Sequence, residues 1–263
     1  MSNAVVIGNG ESRSWYCPSH QTFGVPVTTW GCNAIHRDGL PDNLVAVDYG
    51  MQQEIYETNN WRDTQCWFAN WSILPAEVAA VMFMGYDIPE AFIHRNSKVT
   101  DRCVISGKDP VTVNEKIETA IKMHPHLDMK DLRAKMEKDV GVWITYVEDD
   151  DNINTIDFPI GWSAGNTALY LACQSGAKEV YILGFDLSSY DEPLNNIYKG
   201  TDNYLSSDAK GFNSVNWKDQ MQTVFREFKD VKFYWVDARD GSIQENNLSY
   251  LTKTDFCDTL KIL

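Results

Sequence analysis

The stretch from Gly161 to Asp186 constrains the fold more than any other part of the chain. It opens with small residues, Gly161-Trp162-Ser163-Ala164-Gly165-Asn166. A helical pattern follows from Thr167 to Ser175, with Ala168, Leu169, Leu171 and Ala172 spaced for an apolar face. Gly176 stands where a helix C-cap is expected. The short β-branched run Val180 to Leu183 comes next and ends in Gly184-Phe185-Asp186. A short, wholly apolar strand behind a helix is the mark of a sheet covered on both faces, and such sheets are parallel.

Other segments repeat the pattern. Val5 to Ile7, Leu44 to Val47 and Lys232 to Val236 read as strands, with Val142 to Val147 and Thr28 to Trp30 as further candidates. Trp217 to Phe228 is helical, and Asn114 to Met123 and Lys130 to Lys138 read as exposed, charged helices. Strands alternating with helices predict an α/β fold with a Rossmann-like, mainly parallel sheet. At 263 residues the chain is read as one α/β domain. Ser188 to Asn213 is rich in Ser, Asn, Asp, Gly and Tyr and lacks apolar periodicity. A loop of that length in a compact domain is usually functional, and it is read here as a mobile lid.

Composition narrows the function. The net charge of −14, from 37 acids against 23 bases, disfavours nucleic acid as a partner without excluding a local patch. No apolar run reaches the ~20 residues of a membrane span. The start, Met1-Ser2-Asn3-Ala4, has no signal-peptide character, so the expected location is the cytoplasm. The six cysteines form no CxxC pair or zinc spacing and read as buried thiols.

Three pieces carry candidate chemistry. Val5-Val6-Ile7 runs into Gly8-Asn9-Gly10-Glu11-Ser12, where glycines let backbone N–H groups approach a phosphate. The full GxGxxG pattern fails because position 13 is Arg, and a tight strand-to-helix turn is the alternative. Gly31-Cys32-Asn33-Ala34-Ile35 and the strand ending at Asp48 put an Asn and an Asp at strand ends, where open α/β sheets bind ligands. Each also reads as an Asx turn. Ser163, Ala164, Gly165 and Asn166 open a helix whose free N–H groups and dipole favour an anion, with Asp186 on the sheet rim. Its alternative is a close-packed helix start capped by Ser163.

Together these pieces resemble the bacterial sialyltransferases of glycosyltransferase family 42, and also the related 6-hydroxymethylpterin diphosphokinase (MptE-like) proteins. The likeness covers residues 4–48 and 161–187, reaches the lid and last strand by general layout, and hardly touches 50–150. It implies a Rossmann-like fold of the GT-A-variant kind and a CMP-activated sugar donor. It would put Gly8, Asn9, Gly10 and Ser12 near donor phosphate and ribose and Asn33 by the sugar or phosphate. Ser163, Ala164 and Gly165 would face the nucleotide, with Asp186 close by. Tyr198 and Tyr204 of the lid would hold the leaving phosphate.

One departure matters. The family's catalytic base is a histidine just after the lid, whereas Gly211 to Asn216 here contains none, and all five histidines precede residue 130. His36, Asp48 and Asp186 are therefore the candidate bases. Glu148 to Asp151 follows a candidate strand, and Asp149 and Asp151 are candidate ligands for Mg²⁺ or Mn²⁺ against a diphosphate, with a solvated acidic turn as the alternative. The resemblance itself implies no metal cofactor.

The sequence thus leads to a glycosyltransferase acting from a nucleotide sugar on an unidentified acceptor. The alternatives are an ATP/Mg²⁺-dependent diphosphotransferase and a catalytically silent nucleotide-binding module. A modified DNA base, as in phage sugar transfer, is the less favoured acceptor, and homo-oligomerisation stays open.

Overall fold

A computed structural model describes residues 2–69, 102–107, 142–147, 152–156, 162–187, 192–211, 214–239 and 241–262. The chain divides into two compact units, residues 1–69 with 152–263, and residues 70–151.

The first unit is built on an eight-stranded sheet. Its strands are β1 (Asn3–Ile7), β2 (Val27–Cys32), β3 (Asn43–Ala46), β4 (Gln65–Ala69), β7 (Ile153–Ile156), β8 (Glu179–Leu183), β9 (Lys232–Val236) and β10 (Leu248–Leu251). Their order across the sheet is β10-β9-β8-β1-β2-β3-β4-β7. Every pairing is parallel. The fold is α/β and Rossmann-like, as the alternating pattern predicts.

The second unit contributes β5 (Arg102–Gly107) and β6 (Val142–Val147), which pair antiparallel as a separate two-stranded sheet. The expectation that Val142 to Val147 joins the parallel sheet is thus corrected: a strand forms, but with a different partner. The segments expected as helices at 114–123 and 130–138 lie outside the described residues, as do Asp149 and Asp151.

Burial explains why the central strands are apolar on both faces. Ala4 to Ile7 of β1 and Val180 to Leu183 of β8 are all essentially inaccessible. Side chains alternate across the sheet. On one face, Ala4, Val6, Val180, Ile182, Phe233 and Trp235 share a core with α2 (Ala164–Gln174) and α3 (Val215–Glu227). Helix α2 is buried on nearly every side, which its Ala- and Leu-rich sequence anticipates. Helix α3 buries a single stripe of Met221, Val224 and Phe225 at i, i+3, i+4 spacing. On the opposite face, Tyr181 packs against Phe256 of α4 (Lys253–Leu260), a helix started by a capping box between Thr252 and Asp255.

The topology fixes where a ligand is to be sought. From β1 the chain works outward through β2, β3, β4 and β7, then returns to β8 on the other side of β1. The topological switch point therefore lies between the C-terminal ends of β1 and β8. The turns after β1, β2, β3 and β8 share one rim with the start of α2. Helix α1 (Tyr49–Glu57) begins on this rim, just past β3.

Candidate functional site

At the switch point, the two strand ends close on each other. The Gly8 N–H donates to the Leu183 carbonyl at 2.8 Å, and the Gly10 N–H donates to the Gly184 carbonyl at 2.9 Å. A Cβ on Gly8 would lie 2.5 Å from the Gly184 oxygen, and one on Gly10 would lie 2.6 Å from Asp186 Cγ. Gly184 itself has φ +66. The glycines are needed here for backbone approach, the same demand a phosphate would make.

The next donors are also met from within the chain. Ser12 N–H donates to Asp186 Oδ2 at 2.7 Å, and Glu11 N–H donates to Asn195 Oδ1 at 2.8 Å. Asp186 is also 3.6 Å from Arg239 Nε, while its Oδ1 is buried without a hydrogen-bond partner among the described residues. In this arrangement Gly8, Gly10 and Ser12 offer no idle N–H for a phosphate.

The Gly8 turn and the α2 start do face one another. The ring of Phe185 lies between them, 2.9 Å from a Cβ built on Gly8 and 3.3 Å from one built on Gly165. Phe185 is 8% exposed, so the ring fills that space. At the α2 start Ser163 is the N-cap, its Oγ accepting from the Asn166 N–H at 3.2 Å. Gln220 of α3 accepts from the Ser163 N–H and the Asn166 side chain, both at 3.1 Å. Ser163 and Asn166 thus tie α2 to α3.

A second polar group lies along the ends of β1, β2 and β3. Arg13 is 1% exposed and surrounded by acceptors. Its Nε donates to the Gly8 carbonyl at 2.5 Å, and its terminal nitrogens reach the Tyr16 carbonyl, Asn9 Oδ1 and, at 2.9 Å, the Tyr198 hydroxyl. Asp38 is 3.5 Å from Arg13 and accepts from Tyr198 at 2.5 Å. With its Oδ1 turned to Arg13, Asn9 aims its amide nitrogen at the Cys32 carbonyl and the Tyr204 hydroxyl, each at 3.1 Å. Tyr204 also accepts from the Ala34 N–H at 3.4 Å. Burial raises both tyrosine hydroxyls well above their ordinary range, so each is a neutral donor at pH 7. Cys32, buried at the end of β2, has its thiol pushed up to about 12 and is inert as a nucleophile at neutral pH.

Asn33, at the end of β2 next to Ala34, has φ +51. Its Oδ1 is buried and has no hydrogen-bond partner among the described residues. A non-glycine residue in the left-handed region with an unmatched acceptor is a strained, polar point of the kind found at binding sites.

Next to it, His36 is buried, with Nδ1 3.1 Å from the Asn33 carbonyl and Nε2 3.1 Å from Glu54 Oε1. Glu54 also accepts from Arg37 through two bonds of 2.6 Å and from the Asn203 side chain at 2.8 Å. Arg37 bonds the Thr201 hydroxyl and the Asp202 carbonyl, and lies over the rings of Tyr198 and Tyr204. Asp48 behaves differently. It is the N-cap residue of α1, but its side chain makes no cap bond. Asp48 is exposed at the rim, and the protein around it partly desolvates the carboxyl and raises its pKa.

Residues 192–211 of the expected lid are docked on this rim. Besides Tyr198 and Tyr204, Lys199 pairs with Glu11 at 2.5 Å and the Ile197 N–H donates to the Asn9 carbonyl at 2.9 Å. The rim therefore brings together Asn9, Asn33, His36, Asp48, Tyr198 and Tyr204. It sets Ser163, Ala164, Gly165 and Asn166 apart, behind Phe185. Sequence reasoning missed Arg13, Arg37, Asp38 and Glu54. Arg13 carried a signal, as an arginine inside a glycine-turn motif, whereas Glu54 lies in a helix that shows no clear pattern. Among the described residues no group of three or more His, Cys, Asp or Glu side chains is placed to hold a metal ion. No helix among them is long and apolar enough to cross a membrane.

No family model matches the chain, and no curated protein does. Solved structures do match. One is the sialyltransferase CstII from Campylobacter jejuni in complex with a substrate analogue, CMP-3FNeuAc. It is 12% identical with a TM-score of 0.40, over 89% of this chain and 80% of that one. Another is a crystal structure of an asparagine-to-alanine variant of the sialyltransferase CST-II in complex with CMP. It is 11% identical with a TM-score of 0.42, over 89% of this chain and 81% of that one.

Proposed function

We propose that the chain is a glycosyltransferase that takes a sugar from a nucleotide-sugar donor, with a CMP-sugar as first choice. The observation that carries this is Asn33: a strained residue at the end of β2 with a buried, unmatched Oδ1, one residue from the amide that donates to the lid residue Tyr204. An acceptor without a donor at a strand C-terminus suits a sugar or ribose hydroxyl.

In this reading the bond between the anomeric carbon and the donor phosphate breaks, and its electron pair leaves with the phosphate. Tyr198 and Tyr204, neutral at working pH, donate hydrogen bonds to that phosphate, with the buried Arg13 charge behind Tyr198. The phosphate takes the place of Asp38 against Tyr198. An acceptor hydroxyl attacks the sugar and gives its proton to a base. Of the three candidates, Asp186 is held by Ser12 and Arg239, and His36 by Asn33 and Glu54. Asp48, exposed at the rim with a carboxyl that makes no cap bond and a pKa raised by partial desolvation, suits the role best.

One observation favours a second reading, a catalytically silent nucleotide-binding module: Phe185 fills the space between the Gly8 turn and α2. The diphosphotransferase reading rests on Asp149 and Asp151 and gains nothing from the described residues. The net charge of −14 continues to weigh against a DNA acceptor.

Calorimetric titration with CMP, UDP, GDP and ATP, the last with and without Mg²⁺, tests the donor. Assays for CMP release from CMP-sugars then test transfer to water. CMP binding with release is the expected result. CMP binding without release on any donor supports the silent module, and failure of every nucleotide to bind ends the donor reading.

A further inference from the structure

Three contacts line up between the lid and Asn33. Asn203 of the lid donates to Glu54 Oε2 at 2.8 Å. Glu54 Oε1 lies 3.1 Å from His36 Nε2, and His36 Nδ1 lies 3.1 Å from the Asn33 carbonyl. A carbonyl only accepts, so Nδ1 carries a proton. Nε2 lies in contact with the Glu54 carboxylate without making a hydrogen bond to it. Nδ1 is thus engaged, Nε2 faces Glu54, and the ring is 1% exposed. It cannot reach a substrate. What it touches is the backbone oxygen of Asn33, which among the described residues of this rim combines a left-handed backbone with an unmatched side-chain acceptor.

We infer that His36 is a positioning residue that couples lid docking, through Glu54, to the left-handed conformation of Asn33. The inference rests on the proposed function for what Asn33 binds, but the coupling is a property of the protein by itself. Arg37 works in parallel. Its two bonds to Glu54 fix the carboxylate, and its contacts to Thr201 and Asp202 bring the same stretch of lid to the same place. A lid that docks presents Asn203 to Glu54. The fixed carboxylate then holds His36, and His36 holds Asn33. A ligand that uses Asn33 Oδ1 is bound best with the lid down, and by reciprocity it holds the lid down.

Two substitutions cut this path on opposite sides of one ring. In His36→Asn the amide nitrogen stands near the position of Nδ1, which keeps the donor to Asn33 and abandons Glu54. In His36→Gln it stands near Nε2, which keeps Glu54 and abandons Asn33. The first measurement needs no ligand. The side-chain amide resonances of Asn33 are followed by NMR on adding Asn203→Ala. They shift in the wild type and stay still when Asn203→Ala is made in His36→Asn or Glu54→Gln.

The second measurement is a double-mutant cycle on CMP affinity. Asn203→Ala weakens CMP by about fivefold or more in the wild type and by less than about twofold in His36→Asn. Additive effects in the cycle, or Asn33 resonances that ignore the lid substitution, overturn the coupling. If the resonances move but no nucleotide binds, the donor reading falls and the coupling stands. If CMP binds and the resonances do not move, the reverse holds. Circular dichroism screens each variant for folding, and Glu54→Gln supplies the same cut should both histidine variants fail.

Discussion

Asp186 sits on the backbone N–H of Ser12 at 2.7 Å, at the first turn after β1, where an anion site would hold a phosphate oxygen. The chain supplies its own anion there. Because the bond is charge-assisted and the carboxylate is almost fully buried, removing the charge is costly. Asp186→Asn is expected to lower stability by about 1–3 kcal/mol, read by chemical denaturation. A change below about 0.5 kcal/mol would show that Asp186 is not the partner this turn depends on.

The glycines at the switch point tolerate a side chain far less than a glycine in open space does. Gly8→Ala drives a methyl onto the Gly184 oxygen, a backbone atom that cannot swing away, and Gly10→Ala drives one onto the Asp186 carboxyl. Each is expected to cost about 3 kcal/mol. Gly241, with nothing within 4 Å of an added Cβ, is the control, and its substitution by Ala is expected to be within about 0.5 kcal/mol of neutral. Denaturant midpoints for the three variants check the order. Equal effects at Gly8 and Gly241 would contradict the close approach of β1 and β8.

The parallel sheet is legible in the sequence because its central strands are apolar on both faces. Val5 to Ile7 and Val180 to Leu183 can only be covered strands. Helices α1 and α4 and strands β4, β7 and β10 are not legible. Strand β10 is an edge strand with exposed Ser249 and Tyr250, and β7 carries Asn154 and Thr155 between its two isoleucines, so neither makes an apolar run. Part of the site could be read: Asn9, Asn33, Asp48 and Tyr204 follow strand ends or lie in the lid. Its contacts could not, because Tyr198 and Asp38 are 160 residues apart and Arg37 and Glu54 meet only once α1 has packed. The glycine turn was legible as a turn. What fills it, the side chains of Asp186 and Phe185, depends on β8 lying beside β1.

Arg13 anchors the docked lid through Tyr198. It is buried, it faces Asp38, and it bonds the hydroxyl of Tyr198. Arg13→Met removes the buried cation that Asp38 and Tyr198 share and is expected to cost about 3–5 kcal/mol. Arg13→Lys is expected to recover little, since one ammonium cannot reproduce the fork that meets Gly8, Tyr16, Asn9 and Tyr198 together. Tryptic cleavage after Lys199 is the local readout. It should accelerate in both variants, and an unchanged rate would separate Arg13 from lid docking.

The acid limb of stability distinguishes Glu54 from Asp48. Burial pushes Glu54 upward, but hydrogen bonds from Arg37 and Asn203 and the charges of Arg37 and His36 outweigh it, leaving its pKa below the ordinary 4.5. A carboxyl lowered in the folded state binds fewer protons there than when unfolded. Its contribution is therefore complete above about pH 4.5 and is lost as the pH falls through the lowered value. Asp48 has the opposite sign. Desolvation raises it above 3.8, so the folded state holds its proton longer, and the resulting contribution is present below that value and fades as the pH rises through the raised one. Between the two ordinary values the slopes oppose each other, and the wild-type curve is flattened there. Urea denaturation between about pH 3 and 7 should show Glu54→Gln losing the acid-side fall and Asp48→Asn losing the opposing slope. If Glu54→Gln keeps the wild-type fall, the contacts that tie the lid to α1 carry no charge-dependent stability, and Arg37 and Asn203 hold the lid by hydrogen bonding alone.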